Sequence, residues 1–148
     1  MRILVRELSG RGSDMIDFSM NVNPKLLSPL SLAYIGDAVF ELYIRTYIMK
    51  DENMPVSKLH KAATSYVKAK AQSDMAHAIM EHLSDEELSV FKRGRNAHSY
   101  TSAKNADIVD YRHATGFEAL IGYLYLMGRK DRLAEIVSLC IESRNQAE

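Results

Sequence analysis

From Pro29 onward, apolar positions recur at intervals of three and four, no run alternates convincingly with period two, and β-branched residues are sparse. That pattern predicts helices and no sheet. Ser28 before Pro29 supplies an N-cap with proline at the first helical position, opening a helix from about Pro29 to Lys50. Pro55-Val56-Ser57 opens a second helix to about His82, with Leu59, Ala62, Ala63, Tyr66, Ala69, Ala76 and Ile79 facing inward. Ser84 and Glu87 stand at capping-box spacing and start a third, ending near Gly94. A fourth covers roughly Asn105 to Met127 and stops at Gly128; a fifth runs from about Asp131 to Arg144. The expected fold class is all-α, a helical bundle without repeats.

The first helix is apolar almost all round. Ile35, Val39, Phe40 and Tyr43 lie on one side, with Leu30, Ile44 and Ile48 opposite. Such a helix is either central or gives one side to a subunit interface. Residues 1–27 carry no sustained period and include Gly10, Gly12, Ser13 and Pro24, so they read as an N-terminal extension with a short docked segment around Met15 to Met20. The organised domain is expected over residues 28–148.

Composition narrows the picture further. A chain of 148 residues fits one domain with a proper core. Nineteen basic and nineteen acidic residues cancel, so any nucleic-acid contact must come from a local patch. The single cysteine, Cys140, excludes an internal disulfide, fits a reducing compartment and reads as a core thiol. Met1-Arg2-Ile3-Leu4-Val5-Arg6-Glu7 turns to charge too early for a secretory signal, and the apolar stretch from Leu120 to Met127 is too short to span a bilayer. A soluble, cytoplasmic protein is expected.

Within this frame two acids stand out. Asp37 lies in Leu32-Ala33-Tyr34-Ile35-Gly36-Asp37-Ala38-Val39-Phe40, and Glu118 in Gly116-Phe117-Glu118-Ala119-Leu120-Ile121-Gly122. A carboxylate buried without a partner costs several kcal/mol or shifts its pKa until it neutralises. Chains keep such groups mainly where a cation, a metal or a catalytic task compensates. The plain alternative is an ion pair with a neighbouring Arg or Lys, or a groove edge open to solvent. At 3.6 residues per turn, Ala33, Asp37 and Glu41 share one stripe, as do Tyr111, Ala114, Glu118, Gly122 and Tyr125. Small residues one turn from each acid leave space for something to approach.

These segments resemble the ribonuclease III catalytic domain, and closely its compact Mini-ribonuclease III subgroup. The family's early-helix signature ends in aliphatic-Gly-Asp-Ser/Ala, here Ile35-Gly36-Asp37-Ala38; its second string carries Glu-Ala-Leu-aliphatic-Gly, here Glu118-Ala119-Leu120-Ile121-Gly122. Between them, Phe91-Lys92-Arg93-Gly94-Arg95-Asn96-Ala97 is similar to the subgroup's basic turn. The resemblance covers about residue 28 to the C-terminus. Ala33 and Thr115 stand where larger members carry acids, so the four-carboxylate cluster shrinks to Asp37 and Glu118, a reduction typical of the subgroup that leaves the number of metals open. The subgroup also works without the C-terminal double-stranded-RNA-binding domain of larger members, and the same is expected here.

The resemblance implies that Asp37 and Glu118 are the catalytic residues and hold Mg2+, with Mn2+ an acceptable substitute. Magnesium is commonly bound by one or two carboxylates plus waters and phosphate oxygens. The ion would polarise the scissile phosphate, activate a water and stabilise the leaving 3′ oxygen, with a second ion arriving with substrate. Glu41 has two readings: it orients a water on the ion, or it forms the ordinary i,i+4 pair with Arg45, which is favoured. Thr115 offers its hydroxyl either to such a water or to a local helix bond. Lys92, Arg93, Arg95, Asn96 and Lys104 are the expected RNA contacts, since duplex RNA is read through phosphates and 2′-hydroxyls; Ser99 to Ser102 could add neutral hydrogen bonds, and Lys58, Lys61, Lys68 and Lys70 form mostly a solvent face.

Other chemistries fail. The histidines His60, His77, His82, His98 and His113 form no zinc spacing with one cysteine, no Glu-x-x-His appears, and no phosphate-cradling glycine pattern occurs. The expected function is therefore a magnesium-dependent endoribonuclease of double-stranded RNA that leaves 5′-phosphate and 3′-hydroxyl ends. As the subgroup implies, it would mature the 5′ and 3′ ends of precursor 23S rRNA as a homodimer, with a ribosomal protein presenting the substrate. The rivals are a catalytically inactive ribonuclease III-like RNA-binding module in ribosome assembly, and an all-α interaction domain whose acids are merely ion-paired.

Overall fold

Ser28 caps the first helix as its sequence predicts: its hydroxyl accepts the Ser31 N–H at 3.1 Å, and Pro29 occupies the first turn. The computed structural model describes residues 23–50, 53–97 and 107–147. They form α1 (Pro29–Ile48), α2 (Val56–Val67), α3 (Ala69–Ile79), α4 (Asp85–Arg95), α5 (Asp107–Leu126) and α6 (Lys130–Ala147). Short 3-10 turns cover Pro24–Leu26 and Met80–His82. No strand occurs among the described residues, and none of the helices is long and apolar enough to cross a membrane. The segment Met15 to Met20, with Lys104 and Ser99 to Ser102, lies outside the described residues.

One expected helix is two. Lys68 takes an extended backbone (φ −64°, ψ 152°), ending α2 and starting α3, where the pattern predicts a single helix to His82. The reason is tertiary. α2 packs on α1, whereas α3 packs on α5 and α6, so the chain must turn between them. Val67-Lys68-Ala69-Lys70 contains no proline or glycine to announce the break. α4 ends at Arg95, one residue past Gly94, as expected.

The central helix is α5, not α1. It packs against α1, α3, α4 and α6, burying Ala114, Gly116, Phe117, Ala119 to Leu124 around much of its circumference. Phe40 and Phe117 meet edge to face at 4.9 Å between centroids where α1 crosses it. On α1, Ile44 and Ile48 turn inward with Val39 and Phe40, contrary to their expected place on the second apolar side. That side exists, but Leu30, Tyr34 and Leu42 form it, exposed by 39, 84 and 43%.

Polar contacts hold α4 in place. The predicted capping box is complete: Ser84 Oγ accepts from Glu87 N–H at 3.2 Å, and Glu87 Oε1 from Ser84 N–H at 2.9 Å. Buried Glu87 also pairs with Arg132 of α6 at 2.8 Å, and that guanidinium holds its carboxyl below the usual carboxylate range. Glu86 accepts from the Tyr123 hydroxyl and from Arg129. Gly128 adopts φ +72°, the left-handed turn that stops α5. Cys140 is a buried core thiol, as expected.

Candidate active site

Four glycines set the position of α5. A Cβ on Gly36 would overlap the Glu118 carbonyl oxygen, and one on Gly122 would overlap that of Leu32. The backbones of α1 and α5 therefore touch. On the other side, a Cβ on Gly94 would stand 2.8 Å from the Ala119 Cβ, and one on Gly116 2.6 Å from the Phe91 carbonyl oxygen. Glu118 is thus flanked by two close crossings, α1 against one side of its helix and α4 against another. The small residues beside the acids leave room for neighbouring helices: Gly122 admits α1, while Ala33 is buried with Leu32, Val90, Ala119 and Tyr123.

The Gly36–Gly122 crossing brings Asp37 and Glu118 side by side, within hydrogen-bonding and charge contact. Their environments differ. Glu118 is half-buried, whereas Asp37 is exposed, which corrects the expectation of two buried acids. Gly36 takes the inward position at the crossing, leaving the next residue at its solvent edge. Burial first, then the Asp37 charge and hydrogen bond, push the Glu118 carboxyl up to about 8. Among the described residues no cation pairs with either acid, and no third metal-ligating side chain joins them. Among the described residues the plain alternative survives only in its solvent-exposed form, at Asp37.

A divalent cation fits this pair. Two adjacent carboxylates, one of them desolvated and neither with a basic partner among the described residues, hold negative charge that a bound cation or a proton would offset. Because Glu118 is protonated in the metal-free state over much of the ordinary pH range, cation binding must displace a proton. Affinity for a divalent ion should rise from pH 6 to about 8 and then level, and calorimetry in buffers of different ionisation enthalpy should show proton release at pH 7 that fades by pH 9. The metal-free protein should lose stability as pH rises from about 4.5 to about 8, because over that span the folded state keeps a proton that the unfolded chain has released; Glu118→Gln should flatten this slope.

Glu41 accepts from Arg45 at 3.1 Å, the ordinary helix pair. Thr115 donates its hydroxyl to the Tyr111 carbonyl at 3.0 Å, the local bond. Lys92, Arg93 and Asn96 are exposed, and Arg95 is half-buried with its Nε donating to Asn96 Oδ1 at 3.1 Å. Lys92, Arg93 and Asn96 line an open groove of about 610 Å³ with Pro29, Asp85, Leu88 and Ser89, which neither acid lines. The basic positions therefore gather on α4, the helix that crosses α5 next to Glu118. The glycine crossings were partly legible in the sequence, since Gly116 and Gly122 bracket Glu118; the contact of Gly94 with Gly116 was not.

The sequence pattern of the Ribonuclease III domain matches residues 30–129. The chain is 55% identical over 130 residues to a protein of Clostridium tetani named Mini-ribonuclease 3, covering 84% of this chain and 86% of that one. It is 55% identical over 115 residues to the Mini-ribonuclease 3 of Brevibacillus brevis (78% and 86%), and 45% over 124 residues to that of Staphylococcus aureus (82% and 92%). A crystal structure of a Fusobacterium nucleatum protein superposes with a TM-score of 0.71 at 30% identity, covering 80% of this chain and 94% of the other.

Proposed function

Because the chain belongs to the ribonuclease III family and is an endoribonuclease of double-stranded RNA, we propose that its cleavage depends on magnesium held by Asp37 and Glu118 and serves maturation of precursor 23S ribosomal RNA. The observation that carries the site is the pair itself: two carboxylates from separate helices, brought together by a glycine crossing, with no cation beside them among the described residues. When bound, magnesium supplies a positive charge for the scissile phosphate and acidifies a water. The chain's own residues do the rest. Asp37 and Glu118 fix where the cation, and hence the phosphate, lies. Lys92, Arg93 and Arg95 attract the RNA backbone, and Asn96 adds a neutral hydrogen bond. Hydrolysis adds water to phosphorus and releases the 3′ oxygen with a proton, leaving 5′-phosphate and 3′-hydroxyl ends.

The substrate reading rests on kinship with proteins named Mini-ribonuclease 3, and the cytoplasm is where a precursor rRNA would be met. A net charge of zero leaves RNA attraction to the α4 patch, so binding should be weak and salt-sensitive, which suits presentation of the duplex by a ribosomal protein. The test is purified protein with a paired RNA made of the 23S 5′ and 3′ ends. Cuts should appear with magnesium, disappear with chelator and be absent in Asp37→Asn. Binding without cuts would overturn the magnesium site.

Homodimerisation through α1 completes the reading. Leu30, Tyr34, Ala38 and Leu42 follow one another at four-residue intervals along one exposed stripe, and Asp37 borders it. A two-fold interface there would give each RNA strand one site. Light scattering should show a dimer for the parent chain and a monomer for Tyr34→Arg, with cleavage of both strands reduced together. A parent chain that stays monomeric at all concentrations would refute this.

A further inference from the structure

Three acids open α4, and two of them are committed: Glu86 to Tyr123 and Arg129, and Glu87 to Arg132. The third, Asp85, is exposed and makes no hydrogen bond or ion pair among the described residues. Nor does it cap the helix, since Ser84 does. One turn on, the Ser89 hydroxyl is equally unengaged among the described residues, whereas Thr46, Thr64 and Thr115 return theirs to their own helix backbones. Both side chains line the groove that Lys92 and Arg93 share. Asp85, Ser89 and Lys92 follow at intervals of four and three, so they stand on one face of α4, with the acid at one end and the cations at the other.

A free carboxylate works against a groove that takes phosphate alone. It repels phosphate, and its oxygens only accept, so a ligand that gains from Asp85 must bring a hydrogen-bond donor. A ribonucleotide brings both parts: a phosphate for the cations and, beside it, a 2′-hydroxyl that donates and accepts. Resting on the reading that duplex RNA lies along α4, we propose that Asp85 and Ser89 read the ribose 2′-hydroxyl and so set the preference for RNA over other duplexes. Asp85 accepts a charge-assisted hydrogen bond from the hydroxyl, Ser89 donates to its oxygen, and Lys92 and Arg93 hold the neighbouring phosphates. The groove lies within reach of the cut. Pro29, on its wall, stands eight residues before Asp37 on α1, about 12 Å along the helix. The sugar is thereby checked a few nucleotides from the scissile bond, on the same duplex that the two acids engage.

Replacing the 2′-hydroxyl by fluorine keeps an RNA-like duplex and removes the donor. Fluorescence anisotropy in chelator and low salt, where nothing is cut, compares duplex RNA with the same sequence fully 2′-fluorinated. The parent should bind the RNA about fivefold more tightly. Asp85→Ala leaves the Ser84 cap and the other two first-turn acids in place, so it should fold, which circular dichroism checks. It should bind the fluorinated duplex more tightly than the parent does, because a repelling charge is gone, and the RNA no more tightly, so the ratio falls towards one. Ser89→Ala should lower the ratio by weakening RNA alone. Lys92→Ala should weaken both duplexes equally, keep the ratio and lower the salt slope by about one. An acid that only complements the start of its helix would, on removal, strengthen both duplexes alike. Equal binding of the two duplexes by the parent, or an unchanged ratio in both Asp85→Ala and Ser89→Ala, would overturn the proposal. Parental affinity in a Lys92→Ala, Arg93→Ala chain would remove α4 as the RNA contact, and this inference with it. Because the readout is binding, a failed magnesium site would leave these ratios standing.

Discussion

Asp37→Asn should lose cleavage activity by at least about 10²-fold, the scale on which a preorganised electrostatic group acts, while the protein stays folded and still binds duplex RNA. Asparagine keeps the shape and hydrogen-bonding reach of the side chain and removes the charge that holds a divalent ion. The stability readout separates this from a structural role. Breaking a buried ion pair leaves a cation unpaired and costs about 3–5 kcal/mol. No such cation stands beside Asp37 among the described residues, and its near neighbour is another acid. The metal-free variant should therefore melt slightly higher than the parent, because the charge that opposes ionisation of Glu118 is gone. Glu118→Gln should lose as much activity and gain more stability, since burial of Glu118 is the larger cost. Glu41→Gln, which removes only an exposed helix pair with Arg45, should retain most activity. Chemical denaturation with and without magnesium, beside single-turnover cleavage, reads all four proteins. A stable and fully active Asp37→Asn chain would end the assignment of these acids as the metal site.

Much of this arrangement is legible in the chain because the local signals agree with the fold. Ser28 before Pro29 and the Ser84–Glu87 capping box are short-range devices whose partners lie within three residues, and both are made as the sequence predicts. The two acids are legible because an ionisable residue inside an apolar run needs a reason. What the sequence hides is whatever depends on packing between distant elements. The break at Lys68 has no local cause, and the inward turn of Ile44 and Ile48 follows from where α1 meets the rest of the bundle. The difference in exposure between Asp37 and Glu118 is set by which residue of each helix occupies the crossing, which helical periodicity cannot say.

That crossing can be tested by the smallest possible addition. Gly36→Ala places a methyl group into the Glu118 carbonyl oxygen, a backbone atom that no rotamer change moves aside. The helices must separate, and the Phe40–Phe117 contact and the wall formed by Leu32, Gly122 and Ile35 loosen together. Overpacking a core typically costs about 1–3 kcal/mol, and a backbone-on-backbone clash belongs at the upper end. Activity should fall further than stability alone explains, because moving Asp37 from Glu118 by about 1 Å is enough to cost on the order of 10² in rate. Gly128→Ala separates this from a general intolerance of alanine. Gly128 has φ +72° with nothing within 4 Å of the added carbon, so the change should cost about 1–2 kcal/mol of left-handed strain and leave the cleavage rate of the folded protein as it was. Urea denaturation paired with single-turnover cleavage at saturating magnesium distinguishes the two. Parental stability and rate in Gly36→Ala would mean that the α1–α5 contact does not set the distance between the acids.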